Sequence, residues 1–181
     1  MKTFILFIFL TSTIFSSNLS ILYKLYENQK YDKGCDYAFK YYNKNRDNEK
    51  FLTLYGLSCL ETNSINRIAI PMVGLKSQKS SRENASYFGT ILLQKQLLKQ
   101  ALLDNKELGE LKLPTTNFIL SKIFNLFIQK KYDLKDDIYK FKDSQNSEIK
   151  YQLYIEKSKN RTYMIIDIYK SDKFIKRYRY N

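Results

Sequence analysis

The sequence predicts an α+β fold, with helical hairpins first and a small three-stranded antiparallel β-meander last. Three observations predict it. Apolar residues recur three and four apart through residues 20–128, which is the period of an amphipathic helix. From residue 149 onward they alternate with polar residues, which is the period of a half-buried strand. The length of 181 residues suffices for one domain with a core, or for a small helical solenoid with an appendage.

We expect three regions: a signal peptide over residues 1–17, a helical-repeat region over 18–110, and a helix plus antiparallel sheet over 115–181. The chain starts with a charged Met1-Lys2-Thr3, followed by an apolar run from Phe4 to Phe15 and two small serines. This is the layout of a secretory signal peptide, and the run is too short to span a bilayer. The start of the sequence therefore predicts a periplasmic or secreted protein. The alternative is an uncleaved segment that anchors the chain to a membrane.

Two helical hairpins open the helical region. A short apolar helix over Ile21–Tyr26 precedes a second helix over Tyr31–Tyr42, and Leu52–Asn63 repeats the character of the first. A step of 33 or 34 residues keeps two sets of positions in register: Leu22, Gly56, Gly89 and Ile123, and Tyr31, Ile65, Leu98 and Tyr132. A period of about 34 residues is that of the tetratricopeptide repeat (TPR).

The chain resembles the TPR family in degenerate form over residues 20–142. In that family a small residue in the first helix lets its partner helix pack close, and Gly56 and Gly89 stand at this place. An aromatic residue opens the second helix, as Tyr31 and Tyr132 do. The alternative is that ordinary amphipathic helices recur at this spacing by chance.

The chain also departs from the family pattern. Gly34 and Ile68 stand where the family usually has alanine, and no proline closes a repeat at the usual offset. Residues Asn84–Leu108 read as one unbroken helix where the third hairpin should turn. These departures put the third unit in doubt more than the first two.

The resemblance implies a concave face, formed by the first helix of each unit, on which another protein binds. The implied groove positions are Tyr23, Tyr26, Leu57, Leu60, Thr90 and Leu93.

The two cysteines, Cys35 and Cys59, are expected to form a disulfide. Cysteines in an exported chain most often pair, and these two fall on neighbouring helices of the implied repeat stack. Such a bridge would stabilise the fold by about 3 kcal/mol in the chain-entropy picture. The alternatives are two buried free thiols or a metal site. A zinc site would lack half of its tetrahedral ligands, because the chain contains no histidine.

The C-terminal region reads as an apolar helix over 115–128 followed by three strands over 149–156, 161–169 and 173–180. The side chains of Ile149, Tyr151, Leu153 and Ile155 share one face of the first strand, since strand side chains alternate between faces. The apolar face of such a meander must be covered. We expect the helix to cover it.

The formal net charge of +13 suggests a polyanionic partner. The basic residues are scattered, however, and the abundance of Lys, Asn, Ile and Tyr is typical of codon bias in an AT-rich genome. The last strand alternates cations with aromatic rings, and its candidate polyanion contacts are Lys173, Lys176, Arg177, Tyr178 and Arg179. The alternative is an edge strand whose charges prevent edge-to-edge pairing.

No catalytic motif stands out in the sequence. The absence of histidine excludes imidazole as base or ligand, and the acid pair Asp136-Asp137 reads as the solvated face of a basic helix. We predict no catalytic residue, cofactor or metal. The predicted function is that of an exported, non-enzymatic protein-interaction or scaffold module. The alternative is a binder of anionic envelope material or nucleic acid through the C-terminal sheet.

Overall fold

The computed structural model describes residues 17–181, which form a layer of helices followed by one antiparallel sheet. The predicted signal peptide lies outside these residues except for Ser17. The helices of the described part are α1 (Asn18–Glu27), α2 (Tyr31–Asn45), α3 (Glu49–Glu61), a 3-10 turn (Ile65–Ile68), α4 (Ala69–Gly74), α5 (Lys79–Asp104) and α6 (Ile119–Ile128). The strands are β1 (Asp133–Lys135), β2 (Ile138–Lys142), β3 (Ile149–Ser158), β4 (Arg161–Lys170) and β5 (Lys173–Tyr180).

Local chemistry sets where several of these helices begin and end. The side chain of Ser17 accepts a hydrogen bond from the Ser20 N–H at 3.2 Å, and Asn48 accepts one from Phe51 at 3.2 Å, so both cap helix starts. Left-handed residues follow the ends of α1, α3, α5 and α6: Gln29, Asn63, Asn105 and Lys130. These residues take the place that glycine usually holds after a helix.

The helical layer is built from consecutive helices that pack on one another. Helix α1 contacts both α2 and α3, and α3 contacts α4 and α5. The approach of α3 to α5 depends on Gly56, where a Cβ atom would lie 2.2 Å from the ring of Phe88. Gly56 therefore makes room for α5, the next long helix, and not for the helix that directly follows α3.

The helical stretch that follows α3 is broken. Residues 65–68 form a 3-10 turn and α4 is only six residues long, with the buried Pro71 at its third position. The proline ring cannot donate the hydrogen bond that a longer helix would need, but it fits the first turn of a helix. The long helix that follows begins at Lys79 and ends at Asp104, earlier at both ends than the predicted Asn84–Leu108.

The sheet has five strands in the order β1-β2-β3-β4-β5, all antiparallel, so the prediction of three strands was wrong in number. The two additional strands, β1 and β2, lie in residues 133–142, for which the sequence predicts a helix. Tyr132 precedes β1 and does not open a helix, and Asp136-Asp137 forms the β1–β2 turn with φ of 52° and 59°. Two consecutive left-handed residues are what a tight hairpin turn requires.

The sheet's inner face packs on α5 and α6 and forms one core with the helices. Leu153 and Ile166, which are cross-strand partners, are fully buried, as is Phe124 of α6. The ring of Phe127 lies 5.1 Å from that of Tyr139, measured between centroids, and ties α6 to β2. Helix α6 therefore covers the sheet as predicted, but it begins at Ile119 and not at residue 115.

Helix α5 also holds the end of β5. The Lys95 side chain is 1% exposed, and its Nζ donates hydrogen bonds to the Asn66 side chain and to the backbone oxygen of Asn181. No helix among residues 17–181 is both long enough and apolar enough to cross a membrane.

Candidate functional site

The cysteine pair forms the predicted disulfide, which joins α2 to α3. The Cα atoms of Cys35 and Cys59 are 4.8 Å apart, and the two residues are 1% and 0% exposed. The bridge lies in the core, so reductants reach it only when the helices separate. It fixes the helices that support the surface described next.

A cleft of about 400 Å³ lies between the helical layer and the sheet, and we call it the α6–β5 cleft. Its walls come from the end of α3, the middle of α5, the start of α6 and the strand β5. The residues that carry its chemistry are Glu61, Tyr87, Phe118, Lys122, Lys176 and Tyr178. Three aromatic rings and both signs of charge thus meet at one open surface.

Sheet register places the β5 side chains in this cleft. Lys176 pairs with Ile168 and Tyr178 pairs with Ile166, so both stand on the inner face with the core residues. The Lys176 Nζ lies 4.6 Å from the centroid of the Tyr178 ring, which is a cation–π contact. On the opposite wall, the Tyr87 hydroxyl donates to the Asn117 side chain at 2.8 Å and positions the start of α6.

The two lysines of the cleft differ in their electrostatic surroundings. Lys122 lies 2.6 Å from the buried Asp143 and 3.4 Å from the Tyr151 hydroxyl. The hydrogen bond to Asp143 raises the pKa of Lys122. Burial opposes ionisation of Asp143, but hydrogen bonds from Lys122, Tyr151 and two backbone amides hold its pKa well below the usual range. The Lys122 charge is therefore already neutralised.

Lys176, by contrast, has no carboxylate within 4 Å among the residues that the structure describes. In the same part of the chain, no lysine or arginine nitrogen lies within 4 Å of the Glu61 carboxylate. The cleft therefore offers a cation and an anion that a bound polypeptide could pair.

Of the implied groove positions, the structure brings Leu60 to the cleft beside Lys176 and Tyr178. Leu60 is nearly buried, with 4% exposure, so it supports the cleft floor more than it offers surface. Tyr23 and Leu93 are exposed at 51% and 47%, away from the cleft lining. The other three positions, Tyr26, Leu57 and Thr90, are half-buried outside it.

The predicted polyanion contacts divide between the two faces of β5. Lys176 and Tyr178 face the cleft, whereas Arg177 and Arg179 lie on the outer face beside Asp167 and Glu156. Arg177 makes two bonds of 2.8 Å to the buried Asp167, and this hydrogen bonding raises the Arg177 pKa. Both arginines are thus engaged by carboxylates of the sheet. The remaining candidate, Lys173, stands exposed at the β4–β5 turn.

The sequence prediction missed a row of cations and rings on the sheet's outer face. Lys142 pairs directly with Lys150, Lys150 with Tyr169, and Tyr169 with Phe174, so the four side chains form one row across β2 to β5. Phe174 is 53% exposed and makes an edge contact with Tyr169. Like charges placed directly opposite each other are unfavourable, and here Asp172, at 2.7 Å from the Lys150 Nζ, offsets part of the repulsion. Recognition of β2 as a strand would have revealed this row, since register alone defines it.

Comparisons with protein-family models, with curated proteins and with solved structures found no match to this chain.

The ionisable groups buried in the described part serve the fold. Asp143 and Asp167 each accept several hydrogen bonds, and Lys95 holds the end of β5. No group of three or more acidic or cysteine side chains in residues 17–181 is arranged to hold a metal ion. The arrangement of the α6–β5 cleft is suited to contact with a polypeptide, through rings, amides and both signs of charge.

Proposed function

We propose that the protein is an exported, non-enzymatic interaction module that binds another protein. The α6–β5 cleft is the observation that carries this proposal. Aromatic rings with a polar tip, such as Tyr87 and Tyr178, are enriched in protein-binding surfaces because they bury area at little entropic cost. The cleft is open, and its unpaired Lys176 and Glu61 supply charges that a polypeptide can complement.

Two features support export and a rigid scaffold. A buried disulfide between helices is expected in an oxidising compartment and is rare in the cytosol. The resemblance of residues 20–142 to TPR proteins supports a helical stack in which Gly56 allows close packing, although residues 133–142 form the hairpin of β1 and β2. We infer a degenerate, TPR-like arrangement for the part from α1 to α5. The signal segment at 1–17 is the proposed route of export.

Co-purification of variants tests the proposal. Tyr178→Glu would place a charge among the cleft's rings and is expected to remove most of the protein recovered with the tagged chain from the exported fraction. Phe174→Ser is the matched control, since that ring lies on the outer face. Equal recovery with both variants would contradict a role for the cleft.

A second candidate function is binding of anionic polymers on the outer face, and the Lys142–Lys150 pair favours it. Because Lys150 already bonds to Asp172 at 2.7 Å, a polyanion would pair mainly with Lys142, while the ring of Phe174 offers a stacking surface. Retention on heparin at moderately high salt, lost in Lys142→Glu/Lys150→Glu but kept in Lys176→Glu, would support it. Retention that these changes leave untouched would reject it.

A further inference from the structure

Strand β5 is an edge of the sheet, and its outer edge has no partner strand in the described part of the chain. It runs for eight residues, whereas the opposite edge strand, β1, has only three. An edge strand presents alternate backbone N–H and C=O groups that can pair with another chain. The end at Asn181 is held by Asn66 and Lys95. A bulge at Ile175, which has no partner in β4, interrupts the strand, so the regular part of the free edge runs from Lys176 to Tyr178.

This free edge borders the α6–β5 cleft. Lys176 and Tyr178 belong to the edge strand and also line the cleft. A segment added alongside β5 would continue the sheet, and its alternate side chains would point toward the inner face. Those side chains would enter the cleft between Lys176 and the opposite wall at Phe118. The backbone edge and the side-chain pocket are therefore parts of one surface.

The charge of β5 decides which kind of chain can pair there. Four of its eight residues are cations: Lys173, Lys176, Arg177 and Arg179. A second copy of β5 would bring these cations face to face, which is unfavourable. An acidic segment would meet them favourably. The side chains of Arg177 and Arg179 keep 46% and 49% of their surface exposed, so each guanidinium retains donors for a further carboxylate.

We propose that β5 accepts an extended, acidic segment of a partner protein as a sixth strand, whose inward side chains occupy the α6–β5 cleft. This inference rests on the proposed protein-binding function and specifies the partner's chemistry. Main-chain hydrogen bonds to the β5 edge supply part of the affinity, and the cleft and the cations select the sequence.

The test uses the full, oxidised chain and a ten-residue peptide of alternating glutamate and valine. Two further versions carry N-methyl groups on all glutamate amides or on all valine amides. An added strand bonds to its neighbour through only one of these two sets. We expect one methylated version to bind as the parent does and the other at least about tenfold more weakly, since several edge hydrogen bonds are lost.

Charge reversal on the protein gives the second arm. Lys173→Glu/Lys176→Glu is expected to weaken the parent peptide by about tenfold or more, because two attractions become repulsions. Lys24→Glu/Lys33→Glu makes the same change in net charge on α1 and α2 and is expected to leave binding nearly unchanged. Backbone amide signals from β5 should shift on titration in nuclear magnetic resonance spectra.

Equal binding by both methylated peptides would overturn strand addition, since it would show attraction of charge alone. Equal weakening by the two double variants would overturn the assignment to β5. If the peptide fails while cleft variants still lose a co-purifying protein, strand addition is wrong and the proposed function stands. If no co-purifying protein is lost in the cleft variants either, both strand addition and the proposed function are wrong.

Discussion

At the level of single residues, Gly56 of α3 lies against the ring of Phe88 in α5. A Cβ atom there would be 2.2 Å from one ring carbon and 2.4 Å from the next. We expect Gly56→Ala to lower the free energy of unfolding by about 1–3 kcal/mol, because the overpacked ring must move within a fully buried site. Denaturant titration measures the change.

Gly89→Ala is the control for this prediction. A Cβ at Gly89 would meet only the flexible side chain of Met72, 3.3 Å from its sulfur. Alanine also favours the helix by up to about 1 kcal/mol relative to glycine. A neutral or stabilising Gly89→Ala beside a destabilising Gly56→Ala would support the packing argument, and equal effects would refute it.

Lys95 predicts a rise of stability in mildly alkaline solution. Burial, followed by repulsion from Lys99, lowers the Lys95 pKa to about 8. The unfolded chain holds this proton to higher pH, so unfolding takes up a proton between pH 8 and pH 9.5. The free energy of unfolding should therefore rise over this range, by on the order of 1–2 kcal/mol. It is measured by denaturant titration at several pH values.

The control pair for this prediction is Lys95→Met and Lys99→Met. The first removes the titrating group, so the rise should vanish, whereas the second should keep most of it. A rise that persists in Lys95→Met would assign it to other groups. The measurement stops below pH 10 because burial raises the pKa of Tyr55 to about 12, and such tyrosines reverse the slope at higher pH.

The sequence predicts some of these single-residue features but not others. The pairing of Cys35 with Cys59 could be predicted from their places on neighbouring helices, and it is confirmed. The burial of Lys95 could not, because a lysine on a long amphipathic helix normally faces water. Its partners, Asn66 of the 3-10 turn and Asn181 after β5, are 29 and 86 residues away in sequence.

At the level of elements, the disulfide joins α2 to α3 across 24 residues of sequence. We expect its removal to cost about 3 kcal/mol, because the unfolded chain regains the entropy of an open loop. Thermal unfolding of Cys35→Ala/Cys59→Ala against the oxidised protein measures this. The double variant should keep its helical circular-dichroism signal at low temperature, and an unchanged midpoint would contradict the assigned role.

The strands show why one segment was assigned wrongly. The strands in residues 149–180 were predicted with boundaries close to those of β3, β4 and β5. The strands in residues 133–142 are short. An aromatic residue that follows the end of a helix can begin another helix or precede a strand, since Tyr31 opens α2 whereas Tyr132 leads into β1. The distinguishing signal was local, since Tyr139 and Phe141 alternate with lysines beyond an Asp136-Asp137 turn.

At the level of the whole molecule, the α6–β5 cleft joins residues from α3, α5, α6 and β5 that are far apart in the chain. Periodicity predicts which face of an element is apolar, but not how a helical layer is placed on a sheet. The implied groove and the basic strand were therefore treated as separate surfaces. The structure unites Leu60 from one with Lys176 and Tyr178 from the other.

We propose above that the α6–β5 cleft binds a protein outside the cytosol. Photo-crosslinking in living cells tests it most directly, with a photoreactive amino acid at position 176 in the cleft and, as control, at position 140 on the outer face. We predict a discrete protein adduct in the exported fraction from position 176 and none of that mass from position 140. No adduct from position 176, or the same adduct from both, would contradict it.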